Sequence, residues 1–402
     1  MTSSTPLHFR LRTLFFAIFL VGCFLAFSAV KIKRASKQRE TVAWVLRNGG
    51  ELKYDWQSAD GSGHPPGPRW TRALIDPVYR QSVRSVRFVP IVTAPEHISP
   101  LMHFSQLKEL DFCCTEVRDL SPLKDLTELE DVRFNSTSVH DLSPLAGLRN
   151  IRRLELNNTP VHDLSALEGC NNLEELFLSH TRVNDLSPIR GLTNLKKLDV
   201  RGTTVGDLSP LSQLKRLEEL HVSDTEVEEL SPLQQLSRLE RIDLRGSLVT
   251  DLSALDGLTN VRELYLSDTL VSEFSLLMNL NKLEVLDLSG LPFNDLSSLK
   301  GLTQMEVLDI SATGVDDLEA LSRLFKLKEL DLEGIPVHDL SSLRGLTDLE
   351  ELNIADTRVS DLSALRRLTK LKHLALGRIP ASESEIAKLQ RALPNCRLDD
   401  VY

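Results

Sequence analysis

The sequence predicts an α/β solenoid. This is a curved array with a parallel β-sheet on its concave face and short 3₁₀ or helical turns on its convex face. A cap closes each end, and a single transmembrane helix comes first. Three observations carry this expectation. From His97 onward a 22-residue unit recurs thirteen times with no insertion or deletion, and a fixed period of that size marks stacked repeats. Within each unit, apolar residues are spaced by three and then by two, the signatures of a tight helical turn and of a strand with one buried face. Ahead of the array, Leu14 to Val30 carries no charge.

Residues 1–13 form a basic N-terminal tail with Arg10 and Arg12. The uncharged run of seventeen residues spans about 26 Å as a helix. That is short but sufficient once Ile32 and snorkelling lysines extend it, so residues 14–32 are expected to be a transmembrane anchor. A cleaved signal peptide is the rival reading. Phe27 stands where a small residue is wanted ahead of Ala29, and Lys31, Lys33 and Arg34 follow at once, which suits a retained anchor better. Lys37 and Arg39 enlarge that basic cluster. The positive-inside bias then places a single-pass protein in the cell membrane with its repeats in the cytoplasm, although a long soluble domain can cross regardless of flanking charge.

Residues 33–50 are expected to form a juxtamembrane helix ended by Gly49-Gly50. Residues 51–96 form an N-terminal cap. It holds a strand at Glu51–Trp56, a Gly/Pro-rich loop at Gln57–Arg69, a helix at Trp70–Arg80 interrupted by Pro77, and the first sheet strand at Val83–Val89. A solenoid needs such a cap because its terminal core is otherwise open.

Residues 97–382 are the thirteen repeats. In the unit Asp185–Gly206, Leu198 and Val200 are two apart, while Leu186, Ile189 and Leu192 are three apart. Ser187 is a favoured N-cap and Pro188 a favoured first helical residue. Each unit is therefore strand, turn, short 3₁₀-like segment, turn. Residues 383–402 are a C-terminal capping repeat, with Ile386, Leu389 and Leu393 on one helical face.

The pattern L-x-x-L-x-L, a turn and then D-L-S-P-L resembles leucine-rich repeats, specifically the 22-residue class found in internalins and in phosphatase-regulating repeat proteins. The resemblance covers about three quarters of the chain. The layout as a whole, with Gly49-Gly50 and Pro65–Trp70 between a basic single span and the array, is similar to membrane-anchored leucine-rich repeat proteins of planctomycete bacteria. One departure stands out. Where the usual class places a buried asparagine after the strand, this chain has Thr or Ser at ten positions from Thr115 to Thr357, and Leu291, Ile335 and Ile379 at three more. A hydroxyl serves fewer backbone groups than an amide, and the three apolar residues, each followed by proline, predict turns of another shape.

Charge is unevenly placed. Eight bases face one acid through Arg47, and six face five over residues 48–96. With a total of −10, the array from His97 onward therefore carries −18. So acidic a surface repels phosphate backbones, which argues against nucleic acid and for a protein partner with basic patches. The five cysteines form neither a disulfide framework nor a zinc spacing. No phosphate-binding Gly loop, H-E-x-x-H or nucleophile elbow appears. The expectation is no enzyme, no catalytic residue, no metal, no cofactor and no small-molecule substrate.

Acids recur at the start of D-L-S-P-L: Asp119, Asp141, Asp163, Asp185, Asp207, Asp251, Asp295, Asp317, Asp339 and Asp361. Because every rung has one, they read as structural turn acids that accept backbone N–H bonds, and not as a cation ladder. On the outward side of the strands, an acidic column is interrupted by Phe177, His221 and Tyr265, two repeats apart, with Arg201 and Arg245 in the next column. Aromatic residues and arginine are common interface anchors. These five, extended by Val285 and Val307, are the candidate partner-binding residues. The expected function is a membrane-anchored protein–protein recognition or scaffold module. The alternative is a structural, envelope-surface adhesion or spacer protein with no single specific ligand.

Overall fold

The structure, a computed structural model, describes residues 11–55, 82–88 and 97–399. The tail through Arg10, the loop at 57–69 and the helix expected at 70–80 lie outside the described residues.

Helix α1 runs without a break over Leu11–Arg47. The chain does not divide into an anchor and a separate juxtamembrane helix as expected, since no glycine or proline falls between Gly22 and Gly49. The helix stops where Gly49 takes a φ of 73°, a conformation that costs glycine nothing. Among the described residues no helix is long and apolar enough to cross a membrane. The uncharged run ends at Val30, and beyond it α1 is charged and serves as a cap. Ala35, Thr41 and Val45 are buried, and the Thr41 hydroxyl donates to the Pro100 carbonyl at 3.1 Å. Trp44 meets Phe88 edge-on at 5.7 Å, Phe88 stacks on Phe112 at 4.6 Å, and Phe112 stacks on Phe134 at 6.1 Å. The end of α1 and the first rungs thus share one core.

A sixteen-stranded sheet follows in strict chain order. Strand β1 (Gly50–Tyr54) pairs antiparallel with β2 (Val83–Phe88), and every later pairing, from β2 with β3 (Glu109–Asp111) to the last strand β16 (Arg397–Asp399), is parallel. The sheet therefore begins at β1, one strand earlier than expected. Each repeat contributes only three strand residues. The middle one, such as Leu198, points inward with no exposed surface, while its neighbours face out. Among the described residues thirteen 3₁₀ segments, from Ser99–His103 to Ser363–Arg367, line the other side. Strands stack at about 4.8 Å and the turns are bulkier, so the sheet becomes the inner face.

Two turns per repeat fix the chain path. At the first, the residue 22 positions apart from Cys114 to Arg378 is left-handed in all thirteen repeats. Nine of these are not glycine, and Gly202, Gly246, Gly290 and Gly334 fill the others. The threonine that follows is buried and donates to the carbonyl three residues back, for example Thr115 to Phe112 at 2.8 Å and Thr203 to Val200 at 2.6 Å. The hydroxyl thus closes its own turn and does not bridge repeats. The turns at Leu291, Ile335 and Ile379 keep the left-handed residue (Gly290, Gly334, Arg378). They depart from the others just after it: the bend found at the ten Thr and Ser positions is missing at all three, and at Leu291 the Phe293 N–H donates back to the Leu291 carbonyl at 2.9 Å.

At the second turn, each turn acid accepts the backbone N–H two residues on, as with Asp119 to Ser121 at 2.8 Å and Asp207 to Ser209 at 2.7 Å. The serine makes no side-chain cap of its own. Its hydroxyl donates back to the acid instead, at 2.9 Å for Ser121 and 2.8 Å for Ser209. The acid is the capping group, not the serine that the sequence suggested. The far end closes with α2 (Glu383–Ala392), capped by Ser382, and then β16.

Candidate functional site

The central strands are β5 (Arg153–Glu155), β6 (Glu175–Phe177), β7 (Lys197–Asp199), β8 (Glu219–His221), β9 (Arg241–Asp243) and β10 (Glu263–Tyr265). Phe177, Asp199, His221, Asp243 and Tyr265 lie directly opposite one another in successive strand pairs. The three rings therefore share one line at two-strand intervals, separated by the two aspartates. Val285 and Val307 occupy the first position of β11 (Val285–Asp287) and β12 (Val307–Asp309), a neighbouring column on the same face.

All seven candidate residues are half-buried. The acids between them are more deeply covered than an outward column suggests: Asp199 is 3% exposed and Asp243 0%. Arg201 lies over Asp199, donating through Nε at 3.0 Å and Nη2 at 2.7 Å, and Arg245 holds Asp243 in the same way at 2.9 and 2.7 Å. The arginines stand two residues after the aspartates, on the same side of the strand, so each guanidinium folds back over its own carboxylate. Burial alone raises the pKa of Asp243. The nearby His221, together with the hydrogen bonds and positive charge of Arg245, outweighs burial and holds it well below the usual carboxylate range. His221 Nδ1 sits 3.7 Å from Asp243 Oδ2, which is beyond a hydrogen bond, and is itself buried without a partner.

The rings are likewise fixed. Arg153 lies over Phe177 at 4.7 Å, and Arg241 and Arg245 lie over Tyr265 at 4.9 and 5.1 Å. The Tyr265 hydroxyl donates to Glu263 at 2.8 Å, and burial together with that bond pushes its pKa up to about 12. The first strand position alternates in charge: Arg153 pairs with Glu175, Lys197 with Glu219 at 2.7 Å, and Arg241 with Glu263. The centre is thus charge-paired, with the same two-repeat period as the rings. The D-x-R spacing at 199–201 and 243–245 was the signal that could have revealed the clamps.

Beyond β10 the character changes. Among the described residues Asp287, Asp309, Glu329, Asp331 and Glu351 form no ion pair; strands β13 (Glu329–Asp331) and β14 (Glu351–Asn353) carry the last three. A shallow groove of about 310 Å³ runs past Val307, Asp309, Asp331, Glu351 and His373. Burial, with Asp309 and Glu333 nearby, raises the pKa of Asp331. The ten turn acids lie at the rim of the 3₁₀ side, away from this face. No group of three or more His, Cys, Asp or Glu among the described residues is placed to hold a metal ion.

A family model for leucine-rich repeats (two copies) matches residues 171–213, the heart of this surface. No curated protein sequence matches the chain. Among solved structures, an internalin of Listeria monocytogenes, InlF, superposes with a TM-score of 0.68 at 24% identity, covering 75% of this chain and 92% of that one. A leucine-rich repeat protein of Leptospira interrogans gives 0.70 at 20%, covering 75% and 80%. The plant peptide hormone receptor RGFR1 in complex with RGF2 gives 0.55 at 16%, covering 70% and 53%. The matched repeat pair and the shared solenoid give this chain a leucine-rich repeat fold like that of the internalins.

Proposed function

We propose that this chain is a membrane-tethered, non-enzymatic recognition module that binds a protein partner on the concave sheet face between β5 and β14. The observation that carries the reading is the pre-assembled centre. Asp199 and Asp243 are already desolvated, and Arg201 and Arg245 are already immobilised. Docking there orders little further and strips little water from charge, the costs that usually erode affinity. Partly exposed rings and clamped arginines are the residue types that anchor interfaces. The likeness to RGFR1, a receptor solved in complex with RGF2, supports a peptide or protein ligand for this surface. The unpaired acids beyond β10 favour a partner with basic patches there.

Membrane attachment through α1 is the second part of the reading. Phe15, Phe16, Phe19, Phe24, Leu25 and Phe27 are each 58–68% exposed. Such exposed apolar side chains at the start of α1 favour an apolar surrounding, and with that run held in a membrane the cations from Lys31 to Arg39 face the cytoplasm.

The experiment compares wild type with a Phe177→Ala/Tyr265→Ala double variant in affinity capture from native membranes. The reading expects one saturable partner that the variant loses. Equal capture by both sinks the concave face. Release of the protein by carbonate wash, or a C-terminal reporter active only outside the cytoplasm, sinks the anchor or its orientation.

A further inference from the structure

From the spacing of the rings and the charges beside them, we infer that the concave face takes a partner segment in a polyproline II conformation. This segment carries an apolar residue at every third position and ends in lysines or arginines over β11–β14. The inference rests on the reading of this face as a protein-binding surface and names what it binds.

The ring line sets the pitch. Phe177, His221 and Tyr265 sit on β6, β8 and β10, directly in register through Asp199 and Asp243. Two strand spacings are about 9.6 Å. A polyproline II helix repeats its side-chain direction every three residues, over about 9.3 Å. An extended strand returns a side chain to the same side about every 6.8 Å, and its third residue points away. An α-helix returns after seven residues and about 10.5 Å, drifting by about 2 Å over the three rings. Among regular segments, polyproline II therefore stays in step with all three.

The charges set the chemistry. Along β5–β10 the acids at the first strand position and under the arginine clamps are neutralised from within, so a neutral, apolar stretch of ligand fits there. From β11 onward Asp287, Asp309, Glu329, Asp331 and Glu351 have no cation of their own beside Val285 and Val307. A segment continuing across that stretch supplies the missing positive charge. The ligand face is thus apolar at one end and cationic at the other, and at least seven residues long to touch three rings.

Fluorescence anisotropy on the full-length protein in detergent tests this with labelled synthetic peptides. One has proline at every third position followed by two lysines. A second has the same composition with proline at every fourth position. A third replaces the lysines with glutamates. The expected result is at least ten-fold tighter binding of the first peptide than of either other. Phe177→Ala/Tyr265→Ala should weaken it ten-fold, while Tyr265→Phe, which keeps the ring and the packing, should retain it. Asp309→Asn/Asp331→Asn should abolish the preference for lysine over glutamate. No binding of the first peptide, or equal affinity for both spacings, overturns the inference. If neither peptide binds but the double variant still loses a captured protein partner, this geometry falls and the wider reading stands.

Discussion

Asp243 exposes none of its surface, yet Arg245, two residues later and 41% exposed at its side chain, reaches back to bind both of its carboxylate oxygens. A buried acid at the centre of the sheet face is thereby tied to a cation at its surface. Removing the arginine strands a charge in the interior, and breaking a buried pair costs about 3–5 kcal/mol. Arg245→Ala is expected near the lower end, about 3 kcal/mol, since His221 remains beside the acid. Chemical denaturation of Arg245→Ala and of the Asp243→Asn/Arg245→Met double variant checks this. The double variant should recover most of the loss.

The same pair fixes the response to acid. Asp243 has a folded pKa below the value of about 3.9 for an unfolded aspartate. Its contribution is therefore fully present above that value and lost as pH falls through the lower folded one. Eight turn acids, among them Asp119, Asp207 and Asp361, are lowered by hydrogen bonds from the serine two residues on and act with the same sign. Thermal melts should lose little between pH 7 and 5 and fall steeply below pH 4. Asp243→Asn should flatten that fall.

Asp331 runs the other way. Its pKa is raised by burial and by neighbouring acids, so its charge costs stability at neutral pH and that cost is relieved as pH falls through the raised value. Asp331→Asn should raise the Tm at pH 7, by about 1 °C, with the gain vanishing near pH 3. A Tm lowered at pH 7 would show that its hydrogen bonds to Glu333 N–H and Asn353 outweigh the repulsion.

The left-handed turn column makes a paired prediction. Ala312 holds a φ of 54° without the freedom of glycine, so Ala312→Gly should stabilise by about 0.5 kcal/mol after the unfolded chain's added entropy is subtracted. Gly202→Ala should destabilise by about 1 kcal/mol or more, because its φ is 63° and the new Cβ would lie 2.3 Å from the His180 ring. Denaturation midpoints of both variants check the pair.

The leucines were legible because a buried strand or 3₁₀ residue leaves a strict spacing. Leu198 and Ile189 fall where that spacing puts them, each with no exposed surface. The clamps were not legible in the same way. An outward aspartate on a strand reads as solvated, and only its coverage by Arg201 or Arg245 reveals otherwise. Each turn acid accepts the N–H two residues on; serine and aspartate both suit helix starts in a sequence, and the choice between them depends on backbone direction. The continuity of α1 was hidden by reading its charge boundary as an element boundary, although a helix tolerates a change of surroundings midway.

Site-specific photo-crosslinking in native membranes tests the central claim most directly, with a probe placed in turn at Tyr265 on the sheet face and at Phe325, 58% exposed and off that face. The account predicts one saturable protein adduct from position 265 and none from 325. An adduct from 325 alone, or the same adducts from both, would contradict it.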